Sequence, residues 1–169
     1  MIFFRIFKTI GKGIDRFLDV VAVILLVFTT IVVLLAVYSR YISQSPIPWT
    51  EEIGRNGFIW LSFIGIALAE RADLHFSITY FIRKAPHSIQ LITGILTEVL
   101  ILYTMWILFQ EGLSYVRQGM MQLSAILEWP ESVVYIALPI SVILTVYYRL
   151  KRIIPYYKQQ FFKRQKRET

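Results

Sequence analysis

The chain has 169 residues, 56% of them hydrophobic, with a mean hydropathy of +0.58 and a formal net charge of +7. Such a length and apolar load suit one membrane domain and leave little for a soluble one. With no cysteine, disulfides, thiol catalysis and thiolate metal sites are excluded.

Residues 1–18 carry Phe3, Phe4, Phe7, Ile10, Ile14, Phe17 and Leu18 at three-to-four spacing, with Arg5, Lys8, Lys12 and Arg16 between them. This pattern predicts an interfacial amphipathic helix lying in the inner leaflet. A frayed basic tail is the alternative, and Gly11 and Gly13 weigh toward it. Residues 19–39 form the first span. From Val20 to Ser39 the only ionisable group is a phenol. At about 1.5 Å per residue that stretch crosses a hydrocarbon core of roughly 30 Å. It is too long for a signal peptide and lacks a small-x-small cleavage site.

Loop 1 reads Ser45-Pro46-Ile47-Pro48-Trp49-Thr50-Glu51-Glu52. Its prolines stop the helix and stiffen the turn. Thr50 or Ser45 is expected to cap the next helix, with Glu51 and Glu52 complementing its dipole. Glu51 and Arg55 stand four apart in the favourable order for an ion pair. The second span covers residues 53–69, the third 88–110 and the fourth 132–149. The second and fourth are near the lower length limit. Backbone in lipid must satisfy its own hydrogen bonds, and none of the four alternates as a barrel strand does. The predicted fold is therefore an all-α integral membrane protein with four transmembrane helices and interfacial amphipathic helices.

Loop 2 holds Glu70, Arg71, Asp73 and His75, and Ile78, Phe81 and Ile82 then predict a second interfacial helix ending near Pro86. Loop 3, from Glu111 to Glu131, places Tyr115, Met120, Met121, Leu123, Ile126 and Leu127 among polar residues, a pattern that predicts an outer-surface helix before Trp129-Pro130. Trp49, Trp106 and Trp129 fall near predicted interfaces, while Trp60 lies deeper. Pro48-Trp49-Thr50-Glu51 and Glu128-Trp129-Pro130-Glu131 echo each other weakly, as a duplicated hairpin would.

Residues 150–169 form a basic tail. Lys and Arg concentrate before the first span, in loop 2 and after the fourth span, whereas the other loops hold only Arg40, Arg55 and Arg117. The positive-inside rule puts both termini in the cytoplasm. Nucleic acid is a weaker candidate for the basic tail than the membrane lipids beside it.

Glu98 stands near the middle of the third span, where an unpaired carboxylate costs about 2.5–3.5 kcal/mol. It must be protonated, paired, or turned to protein or water; Thr29, Thr30 and Ser62 are candidate acceptors. Glu98 is either a proton or ion relay or a polar tie between helices, and no second buried charge is visible to support a relay. Pro139 is expected to kink the fourth helix and free a carbonyl, with Ser141 or Thr145 compensating. His75 and His87 are too isolated for a metal site. No phosphate loop, glycine fingerprint or nucleophile elbow occurs, and no catalytic, cofactor or metal residue is predicted.

Ser39-Arg40-Tyr41, the loop 1 run from Ser45 to Glu52, Arg55, Phe58, Trp60, Gly65, Ala67, Ala69, Arg71 and His75 together resemble the small membrane subunit of tripartite ATP-independent periplasmic (TRAP) transporters. Ala137-Leu138-Pro139 and the upstream Trp129 fit the same pattern. The resemblance implies a multi-pass protein of the bacterial inner membrane that acts as a scaffold for a large TRAP membrane subunit. That partner would carry the substrate and sodium sites, and a periplasmic binding protein would deliver an organic acid such as a C4-dicarboxylate or a sialic acid. By the same resemblance Trp49, Glu51, Glu52 and Arg55 order the outer end of the second helix, and Arg71 and His75 its inner end. Glu98 is not part of the family pattern. Two alternatives compete. One is a self-sufficient small proton- or ion-coupled transporter using Glu98, although such proteins are shorter and carry their carboxylate in the first helix. The other, a membrane enzyme, lacks a nucleophile and base.

Overall fold

The computed structural model describes residues 2–72 and 87–165, with side chains over 13–72 and 92–153. Five helices are found among them: α1 (Ile2–Tyr41), α2 (Pro48–Arg71), α3 (His87–Gly119), α4 (Ser132–Tyr135) and α5 (Ala137–Gln165). Three stretches are long and apolar enough to cross a membrane: Gly13–Tyr41, Ile92–Gly119 and Ser132–Ile153. α2 is not one of them, because Glu51, Glu52, Arg55 and Asn56 at one end and Glu70 and Arg71 at the other dilute its hydropathy. Of those polar residues Glu52, Asn56 and Glu70 are sheltered by protein, while Glu51 and Arg55 are exposed. Thr50, Glu52, Gly54, Asn56, Gly57, Ile64, Ala67 and Glu70 are all buried, so α2 is the innermost helix.

The long helices form a row. α1 packs on α2, α2 on α5, and α5 on α3, with α4 wedged mainly against α3. α1 and α3 therefore stand at opposite edges and the row does not close into a bundle. Small residues set the approach between neighbours, as they do where lipid supplies no hydrophobic drive. A Cβ on Gly57 would sit 2.5 Å from the Thr29 hydroxyl oxygen. One on Gly112 would sit 3.1 Å from Leu138 and 3.2 Å from Pro139.

Several boundaries differ from those the sequence suggests. The amphipathic segment and the first span are one continuous helix of 40 residues, about 60 Å long; Gly11 and Gly13 do not interrupt it. α3 runs on to Gly119, past residue 110. The outer-surface helix expected in loop 3 does not form. Residues 120–131 fold back on themselves instead: Leu123 bridges Pro130, the Ser124 N–H donates to the Trp129 carbonyl at 2.9 Å and the Glu131 N–H to Gln122 at 3.0 Å. Glu128 takes the turn with φ 55°, and Pro130 has no N–H to continue a helix. α5 continues through residue 149 into the basic tail. His75 and the expected interfacial helix at Ile78–Pro86 lie outside the described residues.

Neither Thr50 nor Ser45 caps α2. Pro48 occupies its first turn, Ile47 is the N-cap without a side-chain bond, and the Thr50 hydroxyl donates back to the Ile47 carbonyl at 2.6 Å. Pro139 lies in the first turn of α5 and has no N–H for the Tyr135 carbonyl, which accounts for the break at Ile136 between α4 and α5. Ser141 does not compensate there. Its hydroxyl donates to the Phe63 carbonyl at 2.7 Å and ties α5 to α2. The Trp60 indole N–H reaches the Val133 carbonyl at 3.2 Å and ties α2 to α4.

Candidate functional site: two polar layers

At the end of the row where α1 begins and α5 runs on, eight of the described charged side chains meet. Arg149 is at the centre. Its Nη1 donates to both oxygens of Glu70, at 3.0 and 3.2 Å, while its Nε donates to Glu98 Oε2 at 2.7 Å. One guanidinium thus joins α2, α5 and α3, with the side chains of Arg149 and Glu70 only 5% and 2% exposed. Arg152 adds a second cation to Glu70 at 3.0 Å. Beside this group the Arg71 guanidinium donates to the Asp15 carbonyl at 3.0 Å and to the Asp19 carboxylate, joining α2 to α1. The Tyr148 hydroxyl donates to Asp15 at 2.8 Å, and Lys151 lies 3.8 Å from the same carboxylate. Among the described residues four acids, Asp15, Asp19, Glu70 and Glu98, thus stand against four bases, Arg71, Arg149, Lys151 and Arg152. The planar fork of Arg149 suits this place, since it can serve two carboxylates at once.

Glu98 is therefore a tie between helices, and its partner is none of Thr29, Thr30 and Ser62. Thr30 and Ser62 donate within their own helices, at 2.7 and 2.8 Å. The signal for Arg149 was present in the sequence. Ser141, Thr145 and Arg149 recur every four residues on one stripe of α5, and all three are buried. A polar stripe in an apolar helix marks the face turned to another helix.

The opposite end carries a lighter layer. The Glu52 carboxylate accepts from the Ser124 hydroxyl and, at 3.1 Å, from the Ile126 N–H, and so clips the folded-back loop onto α2. The Ser124 bond, then the Ile126 amide, hold the Glu52 carboxyl below its ordinary pKa against the opposing effect of burial. Glu51 pairs with Arg40 across the α1–α2 turn rather than with Arg55. Arg55 is exposed and makes no ion pair among the described residues, although its charge still favours the Glu52 carboxylate. Trp49 stands in the first turn of α2, 38% exposed. Asp19 and Arg40 are twenty-one residues apart on α1, or about 32 Å. Glu52 and Glu70 are eighteen apart on α2, or about 27 Å.

Between the layers the described surface is mostly apolar. A shallow groove of about 360 Å³ between α3 and α5 is lined by Leu102, Met105, Trp106, Phe109, Val142, Ile143 and Val146. It offers no charged group to orient an anion. Among the described residues no cluster of His, Asp or Glu suits a metal ion.

A family model, described as the DctQ component of tripartite ATP-independent periplasmic transporters, matches residues 29–156. A putative TRAP transporter small permease protein of Haemophilus influenzae is 29% identical over 147 residues, covering 87% of this chain and 91% of the relative. The sialic acid TRAP transporter small permease protein SiaQ of Vibrio cholerae is 23% identical over 146 residues, 86% of this chain and 84% of its own. The sialic acid TRAP transporter permease protein SiaT of Haemophilus influenzae is 23% identical over 111 residues, which is 66% of this chain but only 18% of SiaT.

Proposed function

This chain belongs to the DctQ family of tripartite ATP-independent periplasmic transporters, and we propose that it is the fixed membrane scaffold on which the large permease subunit is held. It is a transporter subunit of a bacterial membrane and not an enzyme. One observation carries the scaffold reading: the buried charges among the described residues are satisfied within the chain, Glu70 and Glu98 by Arg149 across helices and Glu52 by the folded-back loop. Glu52, Glu70, Glu98 and Arg149 are occupied in holding the row together. A transporter site instead needs polar groups left facing a cavity at mid-membrane.

The partners follow from the family. A tripartite system needs a large permease and a periplasmic binding protein besides this chain. SiaT supports the first, since the matching segment there is a minor part of a much longer permease polypeptide. Sodium, substrate and the moving parts belong to the large subunit in this reading. The cargo is an organic acid anion of the sialic acid or C4-dicarboxylate class, and the sialic acid relatives favour the first.

The two layers lie about one hydrocarbon thickness apart. That spacing supports four crossings, with α2 carried through the bilayer by its neighbours. By the positive-inside rule, the excess of Lys and Arg in the sequence before the first span and after the last favours the cytoplasm for that end. The rival reading, a self-sufficient carrier using Glu98, loses support because Arg149 already holds that carboxylate.

Tagging this chain and solubilising the membrane in mild detergent tests the proposal. The large permease subunit should co-purify in equal amount, and uptake should disappear when this chain is deleted. A chain that purifies alone while uptake continues would refute the scaffold role.

A further inference from the structure

α2 is the innermost helix of the row, yet one of its sides is open. Two of its sides are filled. Gly54 and Gly57 lie against Val33 and Thr29 of α1, and Arg71, two heptads beyond Gly57, donates to the Asp15 carbonyl and the Asp19 carboxylate. On a second stripe, Trp60, Phe63 and Glu70 reach Val133, Ser141 and Arg149 of α4 and α5. The third stripe is Arg55, Phe58, Ser62, Gly65 and Ala69, at steps of three, four, three and four. That is the spacing at which one helix seats another. Here nothing in the chain fills it. Arg55, Phe58, Ser62 and Gly65 are exposed, and a Cβ on Gly65 would meet nothing within 4 Å.

Lipid suits this stripe poorly. α1 and α3 are apolar enough to cross a membrane by themselves, and α2 is not. Between the exposed Phe58 and Ile66, the small side chains of Ser62 and Gly65 leave a notch where another backbone can come close. Small residues on a membrane helix serve such close packing. At the outer mouth of the stripe Arg55 is exposed and makes no ion pair among the described residues. It calls for a carboxylate from the occupant. A second copy of this chain does not bring one. Two copies share one orientation in the bilayer, so a two-fold pair through this stripe sets Arg55 beside Arg55, and Glu51 is already held by Arg40. In SiaT the matching segment is 18% of one permease polypeptide, so the rest of a permease is tethered to such a segment there.

We propose that the stripe from Arg55 to Ala69 on α2 is the seat of a transmembrane helix of the large permease subunit, one that brings a carboxylate to Arg55. This seat deepens the scaffold role proposed above, on which it rests, by naming the face that carries it. The position suits a fixed support. Arg71 ties α2 to α1 and Glu70 ties it to α5, so a subunit seated on α2 braces against the whole row.

The test uses the full chain produced with its large subunit. The photo-crosslinker p-benzoylphenylalanine is placed singly at Phe58, Ile66 or Ile31, and intact membranes are irradiated. Phe58 and Ile66 should each give an adduct with the large subunit. Ile31 is exposed on the side of α1 turned away from Thr29 and Gly57, and should give none. In mild detergent, Gly65→Leu and Ser62→Leu should each lower recovery of the large subunit on the order of 10-fold. The amount of this chain in the membrane should not change, because its own atoms leave Gly65 open. Arg55→Glu should lower recovery and Arg55→Lys should spare most of it. Adducts from both Phe58 and Ile66 with lipid or a second copy alone would overturn the seat. So would full recovery with both Gly65→Leu and Ser62→Leu. In either case normal co-purification with the unaltered chain leaves the scaffold role standing. A large subunit that does not co-purify with the unaltered chain would refute that role and the seat together.

Discussion

Arg149 is the residue on which the row depends most. Truncating one member of a buried ion pair leaves an uncompensated charge, at a cost of about 3–5 kcal/mol. Arg149→Ala takes from Glu70 the guanidinium that holds both its oxygens and releases Glu98, so detergent-solubilised complex should melt at markedly lower temperature. Arg149→Lys should recover only part of the loss, because one ammonium cannot fork to two carboxylates. Glu98→Gln should lower the melting temperature while sodium dependence of uptake in the assembled transporter stays unchanged. Intact assembly with altered cation coupling would instead make Glu98 a relay.

Glu52 gives a prediction in pH. Its carboxyl is held below the ordinary value, which for an unfolded Glu is about 4.3. A depressed folded pKa means the clip stabilises above that value and weakens as pH falls through the lower, folded one. Protection of the Ile126 amide, its exchange relative to the intrinsic rate at each pH, should therefore fall on acidification below about pH 4 in the wild type. In Glu52→Gln that protection should be low throughout, with no such step. Parallel behaviour of the two proteins would mean that the carboxylate does not hold the loop.

At the scale of elements, the close approach of α1 to α2 depends on Gly57 lying against Thr29. Gly57→Val should cost about 1–3 kcal/mol by overpacking, and Thr29→Ala in the same chain should restore part of it. Thermal unfolding of the two single variants and the double variant reads that coupling; strict additivity would contradict the contact.

The elements were legible where one rule dominated. A long uncharged run rich in Val, Ile and Leu after Asp19 marks α1 as a span, and the prolines of loop 1 mark its turn. Boundaries failed where tertiary partners override local signals. α3 outruns its apolar stretch because its last turn packs on α4, and residues 120–131 fold back because Glu52 supplies an acceptor sixty-eight or more residues away. Glu98 looked solitary because its partner is fifty-one residues distant and reads as a topogenic charge at the start of a basic tail. Only the four-residue recurrence of Ser141, Thr145 and Arg149 betrays it.

On the scale of the whole molecule, the row α1–α2–α5–α3 has two open faces, and the groove between α3 and α5 is apolar. Its exposed surface is rich in large apolar side chains, among them Val23, Ile24, Phe28 and Ile31 on α1 and Ile95, Val99, Tyr103 and Trp106 on α3. Such a surface is satisfied by lipid on some sides and by another membrane protein on others. Rigid ties at both ends suit a fixed support against which a larger subunit moves.

The most direct test is uptake into proteoliposomes under an inward sodium gradient, with the periplasmic binding protein supplied outside. The scaffold account predicts uptake of the organic anion only when this chain and the large subunit are reconstituted together, and none from this chain by itself. Sodium-dependent accumulation by the isolated chain would contradict it.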